Sequence, residues 1–474
     1  MGEEIQSSHF RDEDFAEFHD HLAVETALLE AWLDAGTFSD RGGVGGYELE
    51  AWLVDSEGYP APANNAFLDR LGNPMVVPEL ATFNVELNAD PMRLEGDVLS
   101  RMHRSLTAAW REYRRVAADL DIRLATVGIL PTVRKSDLTL NHMSPLKRYR
   151  ALNEQIFRLR DGNPIRLRIG GVDPLDVLHH DVMLESAATS FQIHLQTSIG
   201  GAADLYDASR ILSAPMVAAT ANSPFLFGHH LWEETRIPLF EQAVSVGGSA
   251  YGGRVTFGHR YVKDSVFDCF RVNRDHFPVL LPRCTDDPPD RMTHLRLHNG
   301  TIWRWNRPLI GFDRDGRPHL RIEHRVMPAG PTLTDMIANA ALYFGAATAL
   351  AQRLHGNAAA RLPFEDARQN FYAAARRGLD TEVTWLDGAS GPVRDLLEAN
   401  VLPEAAEGLR LLGVEDAEAA HWLGVIRERI RSGRTGAWWQ RAWVARHGFD
   451  ARALTAAYLE RQESDTPVHR WDLD

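Results

Sequence analysis

Five short segments of this chain alternate between an apolar residue and one able to bind a metal or a phosphate. A period of two predicts β-strands with one oily face and one chemically active face. In "YELEAWLVD" (47–55), Tyr47, Leu49, Ala51 and Leu53 fall on one side, and Glu48 and Glu50 share the other with Trp52 and Val54. "FNVELNADP" sets Phe83, Val85 and Leu87 against Asn84, Glu86 and Asn88. "TSFQIHLQTS" sets Phe191, Ile193 and Leu195 against Ser190, Gln192, His194 and Gln196. "LRIEHRV" sets Leu320, Ile322, His324 and Val326 against Arg321, Glu323 and Arg325. "HLRLHNG" is expected to add a fifth strand, with His294, Arg296 and His298 opposite Leu295 and Leu297. An antiparallel sheet that meets water on one face usually carries lysine and hydroxyl residues there. No lysine occurs in any of these segments. Their polar side is therefore read as a site.

Glutamate is a poor strand former, and like charges on one strand face repel. If the strands are neighbours, Glu48, Glu50, Glu86 and Glu323 converge around His194. Four carboxylates and one imidazole in one place require cations. The mostly oxygen donor set favours Mg²⁺ or Mn²⁺ over zinc, which prefers more His or Cys.

Other features exclude alternatives. A net charge of -14 over 474 residues argues against a general nucleic-acid or anionic-membrane surface. Two cysteines, Cys269 and Cys284, cannot build a disulfide framework, and the acidic start has no apolar signal segment, so a cytoplasmic protein is expected. The chain begins Met-Gly, but Gln6 stands where a myristoylation signal has Ser or Thr. The most apolar run, 336–351, is too short and alanine-rich to span a bilayer comfortably and is read as a buried helix. There is no Walker A loop, no HExxH and no Cys pair at metal-ligand spacing. The doublets His179–His180 and His229–His230 are expected to make ordinary polar contacts.

Helices are expected over 12–36, 94–119, 146–160, 204–221 and 336–354, the last with a hydroxyl cap from Thr332 or Thr334. A short strand is expected in "IRLATVGI", and a mobile glycine-rich loop over 245–254. Beyond about 362 the pattern is helical, with breaks at "LDGASGPV" and "SGRTGA". The expected organisation is an α+β body over 1–380 and a helical extension over 381–474, packed on the body or bracing a homodimer contact.

The order of the polar residues then resembles a known family. Glu48-x-Glu50, the pair Glu79 and Glu86, His194 on a strand, and Glu323-x-Arg325 follow the ligand order of the glutamine synthetase superfamily. The blocks "RYRALNEQIF", "TSFQIHLQ", "ANSPFLFG", "TIWRWNRP" and "RIEHRVMPAGPT" resemble its glutamate–cysteine ligase branch, the carboxylate–amine ligases. The resemblance implies a curved, largely antiparallel sheet with a polar concave face and helices behind it. It implies one metal site from Glu50, Glu79 and Glu86, and a second from Glu48, His194 and Glu323 beside the ATP phosphates. Arg325 would contact the transferring phosphate, with Arg304 and Arg307 as further catalytic candidates. Arg236, Gln192 and Trp303 would bind substrate. The implied reaction joins glutamate to an amine, expected to be cysteine, through a γ-glutamyl phosphate. A dinuclear metal hydrolase and a catalytically silent nucleotide-binding relative are the alternatives.

Overall fold

The segment with the paired glutamates becomes the centre of an eight-stranded sheet. The computed structural model describes residues 4–5, 7–247, 253–262 and 265–474. Gln6 and the middle half of the expected glycine-rich loop (248–252) lie outside the described residues. Six strands carry the polar residues or frame them: β1 (Val44–Val54), β2 (Val76–Pro78), β3 (Asn84–Asn88), β4 (Phe191–Thr197), β5 (Asn306–Phe312) and β6 (Pro318–His324). Their order is β5-β6-β4-β1-β3-β2, and the short strands Met92–Arg93 and Arg123–Ala125 also pair with β1. Every pairing is antiparallel. The sheet curls into a half-barrel, so the expected α+β architecture holds.

The oily side of these strands is covered by helices α1 (Ile199–Thr220) and α2 (Leu333–Leu354), which pack on each other and on β4, with α1 also lying along β5 and β6. Both are buried nearly all round and mostly apolar, as suits a helix between a sheet and a further layer. The run read as too short for a membrane span lies in α2, and no helix among the described residues is long and apolar enough to cross a membrane. Thr332 caps α2 by accepting the Asp335 N–H, so of the two expected hydroxyls it is the first that serves.

One expected strand is a helix. "HLRLHNG" forms Thr293–Gly300, and five to seven residues of alternating polarity cannot distinguish a short helix from a strand. His294 and His298 are therefore far from strand geometry. His294 Nδ1 meets the buried Glu25 carboxylate at 2.6 Å, and His298 Nε2 meets the Asn273 carbonyl at 2.9 Å. The "IRLATVGI" strand shortens to Arg123–Ala125, and the break at "LDGASGPV" is built around a small hairpin, Glu382–Thr384 with Ser390–Pro392.

Beyond that hairpin, α3 (Leu402–Leu412) and α4 (Asp416–Ser432) pack on α2. The crossing of α2 and α3 is a backbone contact: a Cβ at Gly408 would stand 1.8 Å from the Gly345 carbonyl oxygen. α4 is fastened by an ion pair removed from water, Arg429 Nη2 to Asp335 Oδ1 at 2.8 Å, with the two residues 1% and 0% exposed. Arg429 also donates to Asn339 Oδ1, and the second Asp335 oxygen accepts from Thr332 and from the Val468 N–H. The pair thus ties α2, α4 and the C-terminal segment together. Arg429→Ala leaves Asp335 buried and uncompensated, and should lower unfolding stability by about 3–5 kcal/mol in urea titrations. An unchanged midpoint and slope would show that the tail is held by apolar packing alone.

Candidate functional site

Residues directly opposite in antiparallel strands point to the same face, so the register decides which polar groups meet. Glu50 stands opposite Glu86, and Glu48 opposite Gln192. His194 stands between Gly46 on one neighbour and Glu323 on the other, and Glu323 is opposite Arg307. Gly46 has no side chain to fill the place beside the imidazole. His194 Nε2 accordingly lies 3.4 Å from Glu48 and 3.6 Å from Glu323. Glu79, one residue past the end of β2, joins Glu50 and Glu86. In each of the two triads, Glu48–His194–Glu323 and Glu50–Glu79–Glu86, the donor atoms lie within 4.8 Å of one another.

Hydrogen bonds fix the row. Glu50 accepts from the Ser190 N–H at 2.6 Å and from the Gln192 amide at 2.8 Å. The other end of that amide accepts from Arg325 Nη1, which is also 3.3 Å from Glu323. Arg307 grips Glu323 with two parallel bonds, Nε to Oε2 at 2.8 Å and Nη2 to Oε1 at 3.0 Å. Such a fork holds a carboxylate in one orientation. Arg325 therefore touches one triad directly and the other through Gln192.

The two triads differ electrostatically. Burial raises the Glu323 carboxyl, but Arg307, Arg325 and His194 outweigh it and hold the group well below the usual carboxylate range. In the second triad, burial raises Glu86 well above its usual value, with Glu48 and Glu79 pushing the same way. Burial, helped by Glu50 and Glu185, pushes Glu79 up to about 8. Burial also raises Glu50, against the pull of Arg325. The first triad is compensated by guanidinium groups; the second must hold protons or take up cations.

The donors suit divalent cations. Glu79 Oε1, Glu86 Oε2 and His194 Nε2 are buried and make no hydrogen bond. An oxygen-rich pair of triads fits Mg²⁺ or Mn²⁺. His194 adds a condition. Its Nδ1 accepts from Arg321 Nε at 3.0 Å, which leaves the ring proton on Nε2. A metal-bound imidazole carries its proton on the other nitrogen. Ligation through Nε2 thus requires the Arg321 guanidinium to withdraw from Nδ1.

The remaining candidates sit elsewhere. Arg236 is buried, its Nη2 donating to the carbonyls of Arg325 and Val326 while its plane lies 5.3 Å over Trp305. It anchors the chain just past β6, near enough for its charge to act on Glu50 and Arg325. Trp303 is half-buried, with its ring 6.4 Å from Phe240. Arg304 lines a separate cavity that includes none of the six triad residues. The histidine doublets make the polar contacts expected of them: His179 Nε2 to Asp181 at 2.7 Å and His229 Nδ1 to the Asp173 carbonyl at 3.2 Å.

Two residues escape the sequence reading. Arg321 was visible on the polar face of its strand but had no partner to define it. Glu185 lies in a 3₁₀ turn, Val182–Ala187, before β4, where no periodicity marks it. It lines a small cavity with Glu50, Glu79 and Asn84, and burial and Glu50 push its carboxyl up to about 8.

A family model described as Glutamate-cysteine ligase family 2 (GCS2) matches residues 44–457. Among solved structures, the glutamate–cysteine ligase of Francisella tularensis in complex with AMP superposes with a TM-score of 0.55 at 11% identity, covering 92% of this chain and 91% of that one. A bifunctional glutathione synthetase from Pasteurella multocida gives a TM-score of 0.47 at 12% identity over 93% of this chain and 55% of its own. No curated protein gives a significant sequence match. At these identities the first likeness shows the fold.

The raised carboxyls set a direction for the pH dependence of stability. Folded Glu79 and Glu185 hold protons up to about pH 8, whereas an unperturbed carboxyl releases them near 4.5. Between those values the folded state binds more protons, so its stability falls as pH rises. Urea unfolding in EDTA should therefore show the protein less stable at about pH 8 than at about pH 5.5, and Mg²⁺ or Glu79→Gln should flatten the trend. Equal stability at both pH values without metal would remove the electrostatic distinction between the triads.

Proposed function

The chain belongs to glutamate–cysteine ligase family 2, and from that premise we propose that it is an ATP-dependent ligase joining the γ-carboxyl group of glutamate to the amino group of cysteine. The observation that best supports this reading is Arg325, a guanidinium that touches Glu323 of one triad and reaches Glu50 of the other through Gln192. A site for phosphoryl transfer needs positive charge at the transferring group between aligned ligands, and needs no covalent nucleophile from the protein.

A free carboxylate is a poor electrophile and so a poor acyl donor. In the proposed sequence a γ-carboxylate oxygen of glutamate bonds to the γ-phosphorus of ATP as the bridging oxygen leaves with ADP. The cysteine amine then bonds to the acyl carbon, phosphate departs, and the new ammonium loses a proton. Divalent cations, when held by the two triads, screen the phosphate charge and align the reacting oxygens. Arg325 stabilises the equatorial oxygens as the phosphoryl group moves. Arg307 keeps Glu323 in one rotamer, and Gln192 keeps Arg325 aimed. Cys269 and Cys284 have no part in the chemistry.

The test is ADP release with Mg²⁺, ATP and glutamate across a panel of amines. Release that requires both glutamate and cysteine is expected. Substrate turnover that does not need ATP would instead favour a metal hydrolase, and nucleotide binding without turnover a silent relative. Arg325→Lys keeps the charge but loses the planar fork. It should lower kcat by about 10²-fold, the scale of one lost transition-state donor, while KM for ATP changes far less. Near-normal kcat in this variant would take Arg325 out of the transfer step.

A further inference from the structure

A cavity of about 330 Å³ lies apart from the triads, and its wall carries two guanidinium groups almost removed from water, Arg210 and Arg304, 4% and 5% exposed. A buried cation normally sits against a carboxylate, because desolvating it alone is costly. Among the described residues Arg304 has none. Its Nη1 donates to the neutral Asn273 amide at 2.6 Å, and its plane lies 5.3 Å over Phe277. Arg210 lies 4.1 Å over the Tyr206 ring and 3.4 Å from Asp207. Its Nε is buried without a hydrogen-bond partner, and burial pushes the Asp207 carboxyl up to about 7, which weakens that counter-charge near neutral pH.

The other polar groups of the wall add to the imbalance. The Tyr261 hydroxyl is buried and makes no hydrogen bond among the described residues. The acidic residue in the wall, Asp268, is shared between Arg271 at 2.6 Å and Arg260 at 3.8 Å, and Arg260 itself lines the cavity. The wall thus presents an excess of positive charge and an orphan hydroxyl to a space large enough for an amino-acid-sized molecule.

We propose that this cavity binds the oxyanion of a small molecule, a carboxylate or a phosphate, with Arg304 and Arg210 as its counter-charges and Tyr261 as a further donor. Guanidinium forks match both groups geometrically. The wall shares no residue with the triads, so binding here does not depend on the proposed reaction.

Calorimetric titration of the full-length protein in EDTA, without nucleotide, tests this, with L-glutamate and inorganic phosphate in separate arms. EDTA keeps the triads free of cations that would themselves attract anions. At least one of the two should bind, and the arm that does identifies the oxyanion. Arg304→Gln should weaken it by about tenfold or more, the loss of a hydrogen bond to a charged group. Val272→Trp, which fills the cavity from the helix Phe267–His276 without removing a charge, should weaken it as much. Glu48→Gln should bind as the parent does. The proposal is overturned if neither anion binds at about 10 mM, a range that covers even millimolar affinity. It is equally overturned if either variant, folded by circular dichroism, keeps the parent affinity. Should Arg304→Gln fail to fold, Val272→Trp decides alone.

Discussion

Glu50 and Glu86 face each other across neighbouring strands with Glu79 against both; Glu86 is fully buried and the other two are half-buried. Three carboxyl groups in that position cannot all be ionised without positive charge among them. Sheet hydrogen bonds do nothing to relieve this, since they run between backbone groups. Stability at this place must come from protons, cations or the apolar packing behind the sheet. The fold accepts the strain because the other face of the same strands is buried against α1 and α2, where each residue contributes through the hydrophobic effect.

Relief is distributed unevenly. The triad of Glu48, His194 and Glu323 is surrounded by Arg307, Arg325 and Arg321, and Glu323 is held well below the usual carboxylate range. The triad of Glu50, Glu79 and Glu86 reaches Arg325 through Gln192, is drawn on more weakly by Arg236 and Arg148, and meets a further carboxyl in Glu185. A cation added to the first triad must compete with guanidinium groups; one added to the second replaces protons. The two halves of one polar face therefore differ in charge balance.

The helical layer behind the sheet gives this arrangement its rigidity. α2 is gripped from the sheet side by α1 and from the outer side by α3 and α4, where glycine-to-backbone contact and the buried Arg429–Asp335 pair leave little room for adjustment. A row of side chains whose donor atoms must stay within a few ångströms needs such backing, because displacements of about 1 Å at a catalytic site change rates strongly.

The alternation in four segments determined by itself that strands with a polar face exist and which residues lie on it, because side-chain direction along a strand follows from backbone geometry alone. The same argument failed at "HLRLHNG", where a helix of eight residues satisfies the pattern as well as a strand does, and where the buried Glu25 carboxylate captures His294 and the Leu295 N–H. Resemblance in the order of the motifs grouped the six residues into two sets. Only the register places Glu50 opposite Glu86 and His194 opposite Glu323, and that follows from strands far apart in the chain. Glu185 and the Arg321–His194 contact belong to the same class: a group in a turn, or a pair formed across two strands, leaves no periodic trace. Tertiary structure alone also separated Arg304 from Arg307, three residues away, because Arg307 enters β5 and faces Glu323 while Arg304 precedes the strand and turns into another cavity. Local geometry is written in adjacent residues; which distant surfaces share a space is settled only when the chain closes on itself.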